Sequence, residues 1–417
     1  MLEAKPPLFN RTYLKIIIGV VAVAIALLTA GQRSGPEFIN IKKQPEVPLY
    51  YANVDQLETL ELSFLLRTDV ALNGEQQLLQ QLLLQQVEQQ LAGLTAQPTF
   101  AFLQATLSTA IAPDQLKIVI TLSADHAAQT DAIHDLTKQL LQRLSTYQPD
   151  IGLEQRWARL EAAQYLNLKD PENRLLNHFG ELISHRHSVS ALQRFADIYH
   201  NSTHLSGITL TLKGPDSEAL AQRLSALLSS PIVSNNRRHG SLDMAPTDPT
   251  SVRLPPQGNQ TYRLTGLVLP GRQQPQFATE LLTVQTLRQL IQRQSQLTAR
   301  LIWKSLDKQG YLAMMLHGSS IDANSDLTPL MTTLLTQLDD ALIDDTRHRL
   351  QNTYREQMES LTAQLNMLDT IAFYRLPTDY LSRFETTLDA VNNADVRDNM
   401  RHFLTSNERY QITLPAY

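Results

Sequence analysis

Two hydrophobic periods alternate along the chain. Leu281, Leu282, Val284, Leu287, Leu290 and Ile291 recur at three- and four-residue spacing, which predicts a helix burying one face. Residues 311–316 then form a short apolar run closed by Gly318, which predicts a strand, and 297–315 reads as the passage from helix to strand through Gly310. In the first half Leu60, Leu62, Phe64 and Leu66 alternate strictly, and 116–122 alternates in the same way, so each predicts a strand with one buried face. The glutamine-rich stretch 75–94 carries Leu78, Leu79, Leu82, Leu83, Val87 and Leu91 on one helical side and follows a turn at Asn73-Gly74. Further strands are predicted over 100–107, 208–212, 262–269 and 410–414. Further helices are predicted over 129–147, 152–168, 276–294 and 327–368, the second stopping before Asp170-Pro171.

Residues 16–30 are an unbroken apolar run preceded by Lys5, Arg11 and Lys15. A bilayer core takes about 20 apolar residues, which the run reaches with Tyr13, Leu14 and a snorkelling Lys15. Cleavage after Ala30 would put Leu28 where a small residue is required. Residues 1–31 therefore read as a cytoplasmic n-region and uncleaved transmembrane signal anchor, with the body exported, as suits a bacterial inner membrane with the body in the periplasm. Residues 32–47 read as a polar tether. Residues 235–260 hold Pro246, Pro249, Pro255 and Pro256 among few apolar positions and read as a linker. Between and after these lie two α+β domains, 48–234 and 261–417, each a mostly antiparallel sheet covered by helices. Their shared order of elements reads as a diverged internal duplication.

At 417 residues, 42% hydrophobic and 18% charged, the chain can bury cores in two domains. A net charge of -5 argues against a nucleic-acid binder, and the absence of Cys excludes disulfides and thiolate metal sites. No His-Glu-x-x-His, G-x-S-x-G, P-loop or G-x-G-x-x-G occurs.

Several passages are similar to the pitrilysin/insulinase family of zinc peptidases. Lys304 and Tyr311 keep the seven-residue spacing of that family's second-domain Arg and Tyr, with Lys in place of Arg and Gly310 beside the tyrosine. Leu192, Phe195, Tyr199, Asn201, 208–212 and Gly214 match the close of a family domain, and 390–396 with the strand at 410–414 match its tail. The resemblance spans about residues 47–417. It implies two domains of one fold and, in active members, zinc held by H-x-x-E-H on the first long helix, with the Glu as general base. Here that helix is 75–94, and the metal positions fall on Gln80, Leu83 and Leu84 or on Leu82, Gln85 and Gln86. No His or carboxylate lies between Gln76 and Val87, so no metal and no cofactor is expected; Glu161 corresponds to the third ligand but reads as a solvated helix residue.

Other histidines do not replace the motif. His178, Glu181 and His185 have the second His three positions too late, His185 and His187 alternate in a polar loop, and His200 and His204 flank an Asn-Ser-Thr turn. The resemblance implies that Lys304 and Tyr311 bind the substrate backbone or a developing oxyanion. The other reading has Lys304 at a helix C-terminus and Tyr311 in packing. The expectation is a non-catalytic, membrane-anchored subunit that pairs with a zinc-bearing homologous peptidase around a peptide chamber. The alternative is a structural subunit of a membrane complex.

Overall fold

The computed structural model describes residues 37–148, 151–184, 189–229, 244, 246–294, 298–318 and 321–417. The first half runs β1 (Lys42–Lys43), β2 (Leu49–Asn53), β3 (Thr59–Arg67), α1 (Gly74–Thr95), α2 (Pro98–Phe102), β4 (Thr106–Ala112), β5 (Gln115–Ser123), α3 (Thr130–Ser145), α4 (Leu153–Asn167), α5 (Pro171–Ile183), α6 (Ala191–Ser202), β6 (Ile208–Gly214) and α7 (Ser217–Leu228). The second runs β7 (Ser251–Arg253), β8 (Tyr262–Pro270), α8 (Phe277–Gln292), β9 (Thr298–Ser305), β10 (Gln309–His317), α9 (Thr328–Thr336), α10 (Asp340–Met358), α11 (Leu361–Phe373), α12 (Tyr380–Asp389), α13 (Asn393–Thr405) and β11 (Tyr410–Leu414). The apolar run at 16–30 lies outside the described residues. Among those described, no helix is long and apolar enough to cross a membrane.

Local chemistry accounts for most boundaries. Asn73 caps α1 by accepting from the Gln76 amide while the Gln76 side chain accepts in return from the Asn73 amide, a capping box. The predicted strand over 100–107 is corrected: Pro98 at a helix N-terminus starts the short α2, and β4 begins only at Thr106. Pro171 does not merely stop a helix; with Asp170 accepting from the Asn173 amide at 2.9 Å it opens α5, whose Leu175, Phe179, Leu182 and Ile183 recur at helical spacing. The helical stretches predicted over 327–368 are three helices, divided at the caps Asp339 and Ser360.

The strands form two sheets, ordered β1-β2-β6-β3-β5-β4 and β7-β11-β8-β10-β9. Apart from the short β1, each half places its strands in the order first, fifth, second, fourth, third. In each, first and fifth are parallel and every other pair is antiparallel. The repeat is therefore present in topology. It also explains part of the stretch read as linker, because Ser251–Arg253 is the second sheet's counterpart of β2.

One face of each sheet carries the helices of its own half. Leu62, Phe64, Ile118 and Ile120 pack with Leu82, Val87, Leu136 and Leu220, and Leu312, Met314 and Leu316 pack with Val284, Leu287 and Phe403. The opposite faces are covered by exchange. Helix α11 of the second half lays Leu365, Leu368 and Ala372 over Tyr50, Ala52 and Leu65 of the first sheet. Helix α5 of the first half lays Leu175, Phe179 and Ile183 over Leu264, Met315 and Ile412 of the second.

Candidate functional site

Helix α1 holds the positions at which the sequence resemblance would place metal ligands. The Gln80 amide donates to Thr68 Oγ1 at 3.1 Å, to the Asp69 carbonyl at 3.1 Å and to the Pro113 carbonyl at 2.8 Å. Gln86 donates to the Gln148 carbonyl at 3.0 Å and accepts from Arg156 at 2.9 Å, while Leu82 and Leu83 are core residues. In either alignment the face holds only aliphatic groups and neutral amides, those of Gln80 and Gln86 donating to backbone carbonyls, and neutral amides do not fit a zinc ion. Glu161 is exposed on α4. His178 lies 3.0 Å from Glu181 on α5, and His185 and His187 fall outside the described residues. His200 is corrected: it lies within α6, stacked edge-on against Tyr147 and Tyr199, and not at a turn.

Lys304 and Tyr311 are brought together. The reading of Lys304 at a helix C-terminus is corrected, because Thr298–Ser305 is an edge strand. Lys304 is paired directly with Tyr311 across β9 and β10, which puts both side chains on one face. Gly310 is required there, since a Cβ would meet the Lys304 carbonyl oxygen at 2.4 Å. Lys304 is exposed. Tyr311 is half-buried, edge-on to Phe179 of α5 at 5.6 Å, and burial pushes its phenol up to about 12, so it stays a protonated donor at every physiological pH. Arg300 sits on the same face of β9 and pairs with Glu172 of α5 at 2.6 Å.

Two arrangements were not anticipated. On the exchanged face of the first sheet, Asp369 of α11 accepts from Lys117 at 2.5 Å, from Lys213 at 2.8 Å and from Thr211 at 2.6 Å. Lys213 also donates to Glu61 at 2.7 Å. Burial alone would raise Glu61, but the charge and hydrogen bond of Lys213, with Ser63 and Lys117, hold its carboxyl below the usual range. Nearby, the hairpin turns of the two halves meet. Asp114 accepts from Tyr374 at 3.1 Å, Asp307 pairs with Arg67, and burial pushes the Asp114 carboxyl up despite Tyr374 and Arg67.

The second is Glu280, in the first turn of α8. It is 5% exposed, its Oε2 has no hydrogen-bond partner among the described residues, and burial pushes its carboxyl up to about 7. Between the ordinary value of 4.5 and about 7 the folded chain holds a proton that the unfolded chain has released, so stability falls as pH rises through that window. Glu280→Gln is expected to raise unfolding free energy by about 1–3 kcal/mol at pH 8 and to change little at pH 4. Urea denaturation of both chains at the two pH values measures this.

No family model matches the chain, and no curated protein does. Solved structures match over most of its length. An M16 peptidase inactive domain from Pseudomonas fluorescens has a TM-score of 0.68 at 13% identity, covering 91% of this chain and 98% of that one. The periplasmic protease PqqL from Escherichia coli has a TM-score of 0.60 at 14% identity, covering 91% of this chain and 47% of that one, so this chain spans about half of it. A chain of complex III2 from Candida albicans has a TM-score of 0.58 at 11% identity, covering 91% and 96%. The chain has the fold of the M16 peptidases, the pitrilysin/insulinase family of the sequence resemblance, with amides and leucines where that family's metal motif would stand.

Proposed function

We propose that this chain is a non-catalytic, membrane-anchored member of the pitrilysin family that pairs with a zinc-bearing homologous chain to form a peptide-cleaving chamber. One observation carries the reading: the α1 face is closed to metal, yet Lys304 and Tyr311 stand side by side on the β9–β10 hairpin. The division of labour follows from that contrast. The partner supplies the metal and its general base, and this chain supplies a phenol donor and an ammonium where negative charge develops on the peptide carbonyl. Its likeness to an inactive M16 domain, and the fact that it spans half of a longer protease, support this reading. The apolar run at 16–30, following basic residues, supports a single-pass inner-membrane anchor with the body in the periplasm.

The test is co-purification from the native membrane followed by peptide hydrolysis. The lone chain is expected to cleave nothing and the complex to cleave peptides. Tyr311→Phe keeps the ring against Phe179 and removes only the hydroxyl. In the complex it is expected to lower kcat/KM by about 100-fold, with bound zinc unchanged. Stoichiometric zinc and cleavage by the lone chain would overturn the proposal.

The likeness to a complex III2 chain favours a second reading, a scaffold subunit using the fold without proteolysis. Under it, Tyr311→Phe and Lys304→Ala leave the assembly and its activity intact.

A further inference from the structure

A cavity of about 230 Å³ lies between α8, α13 and the near face of β8 and β10. Leu267, Val284 and Phe403 form its apolar wall, and Asn399 and His402 stand at its rim. Glu280 belongs to the same lining, with Oε2 unpartnered in the protein, and among the described residues no Lys or Arg lines the space. A carboxylate without a counter-charge in apolar surroundings is unfavourable, and a purely structural residue there would be paired or replaced by a neutral one. An anion is repelled by Glu280, and one carboxylate with a rim imidazole is too few ligands for a metal.

The geometry points to a binding site for a small apolar primary amine, its ammonium donating to the Glu280 carboxylate and its hydrocarbon body against Leu267, Val284 and Phe403. The volume lies below the roughly 300–1,000 Å³ of pockets for drug-sized ligands, so the occupant is the size of one side chain. Ammonium hydrogens satisfy the unpartnered oxygen and the positive charge offsets the buried negative one, a combination no neutral ligand offers. The site lies on the face of the second sheet covered by its own half's helices, opposite the face bearing Tyr311, so the inference does not depend on the peptidase reading.

Calorimetric titration of the full chain at pH 7.5 with n-hexylammonium, and separately with n-hexanol, tests it. Saturable one-to-one binding of the amine is expected, with the alcohol at least tenfold weaker. Glu280→Gln, which keeps shape and removes charge, should weaken the amine at least tenfold and leave the alcohol unchanged. Asn399→Trp, which fills the mouth from a half-buried position, should abolish both. Absence of amine binding, equal binding of amine and alcohol, or full retention by either variant would overturn the site; the comparison of the two probes on the unaltered chain decides even where a variant fails to fold.

Discussion

Replacing Asp369 by alanine is expected to lower the unfolding free energy by about 3–5 kcal/mol, as removal of one partner from a buried ion pair does. Asp369 is 8% exposed and Lys213 3% exposed, so the Lys213 ammonium it leaves behind cannot turn to water without moving α11 off the sheet. Lys213 keeps Glu61, but Glu61 then serves two lysines, with Lys117 3.8 Å away. The loss is the penalty of uncompensated buried charge more than the worth of the original contact. Asp369→Ala combined with Lys213→Met, which removes an ammonium as well as the carboxylate, should therefore recover at least half of it. Urea midpoints for the single and double variants measure this; a double variant no more stable than Asp369→Ala would mean that α11 is held by its apolar residues alone.

The same cluster marks how far sequence alone reaches. Strict alternation at Leu116, Ile118, Ile120 and Leu122 correctly reports one dry face of β5, and the same holds for Leu60 to Leu66 on β3. Alternation says nothing about what lies over the other face. Glu61, Ser63, Lys117 and Lys213 stand there and read as solvent-facing, yet the covering helix comes from 252 positions along the chain from Lys117. The local traces are that these positions carry both signs of charge, one acidic and two basic, and that apolar Leu65 shares their face. Helix α5 was lost for a different reason: Pro171 is equally a helix stop and a first-turn residue, and what separates the two is the Asp170 cap together with the helical spacing of Leu175, Phe179, Leu182 and Ile183.

The hairpin of the candidate site was legible in spacing and not in conformation. Lys304 and Tyr311 are seven apart, which suits residues facing each other across a tight hairpin as well as residues at a helix end. On the edge strand β9, Arg300 and Lys304 alternate with Leu301 and Trp303, a strand period whose apolar face packs against the helices of its own half. Strand β7 is three residues long with two of them exposed, too short for any periodicity, and only the repeated order of the two sheets gives it meaning. Glu280 gave no signal, because a Glu in the first turn of a helix is the favoured residue there whether or not it is buried.

Phe179→Ala is expected to destabilise the chain by about 3–5 kcal/mol, the range for removing a fully buried aromatic side chain. Phe179 is 1% exposed and meets Tyr311 at 5.6 Å and Tyr410 at 5.8 Å, both edge-on. It also lies against the backbone of Gly266, where a Cβ would come within 2.5 Å of its ring. The ring is thus the point at which the first half grips the second sheet, as Asp369 is the point at which the second half grips the first. Because each sheet borrows one of its two covering layers from the other half, neither half retains a closed core alone, and denaturation of the unaltered chain should follow one transition by both fluorescence and circular dichroism. Phe179→Ala should shift that single midpoint without splitting it. In the proposed complex it should also lower peptide cleavage beyond its effect on folding, since the Tyr311 phenol loses the ring that fixes its direction. Two separated transitions in either chain would show that the exchanged helices do not bind the halves into one cooperative unit.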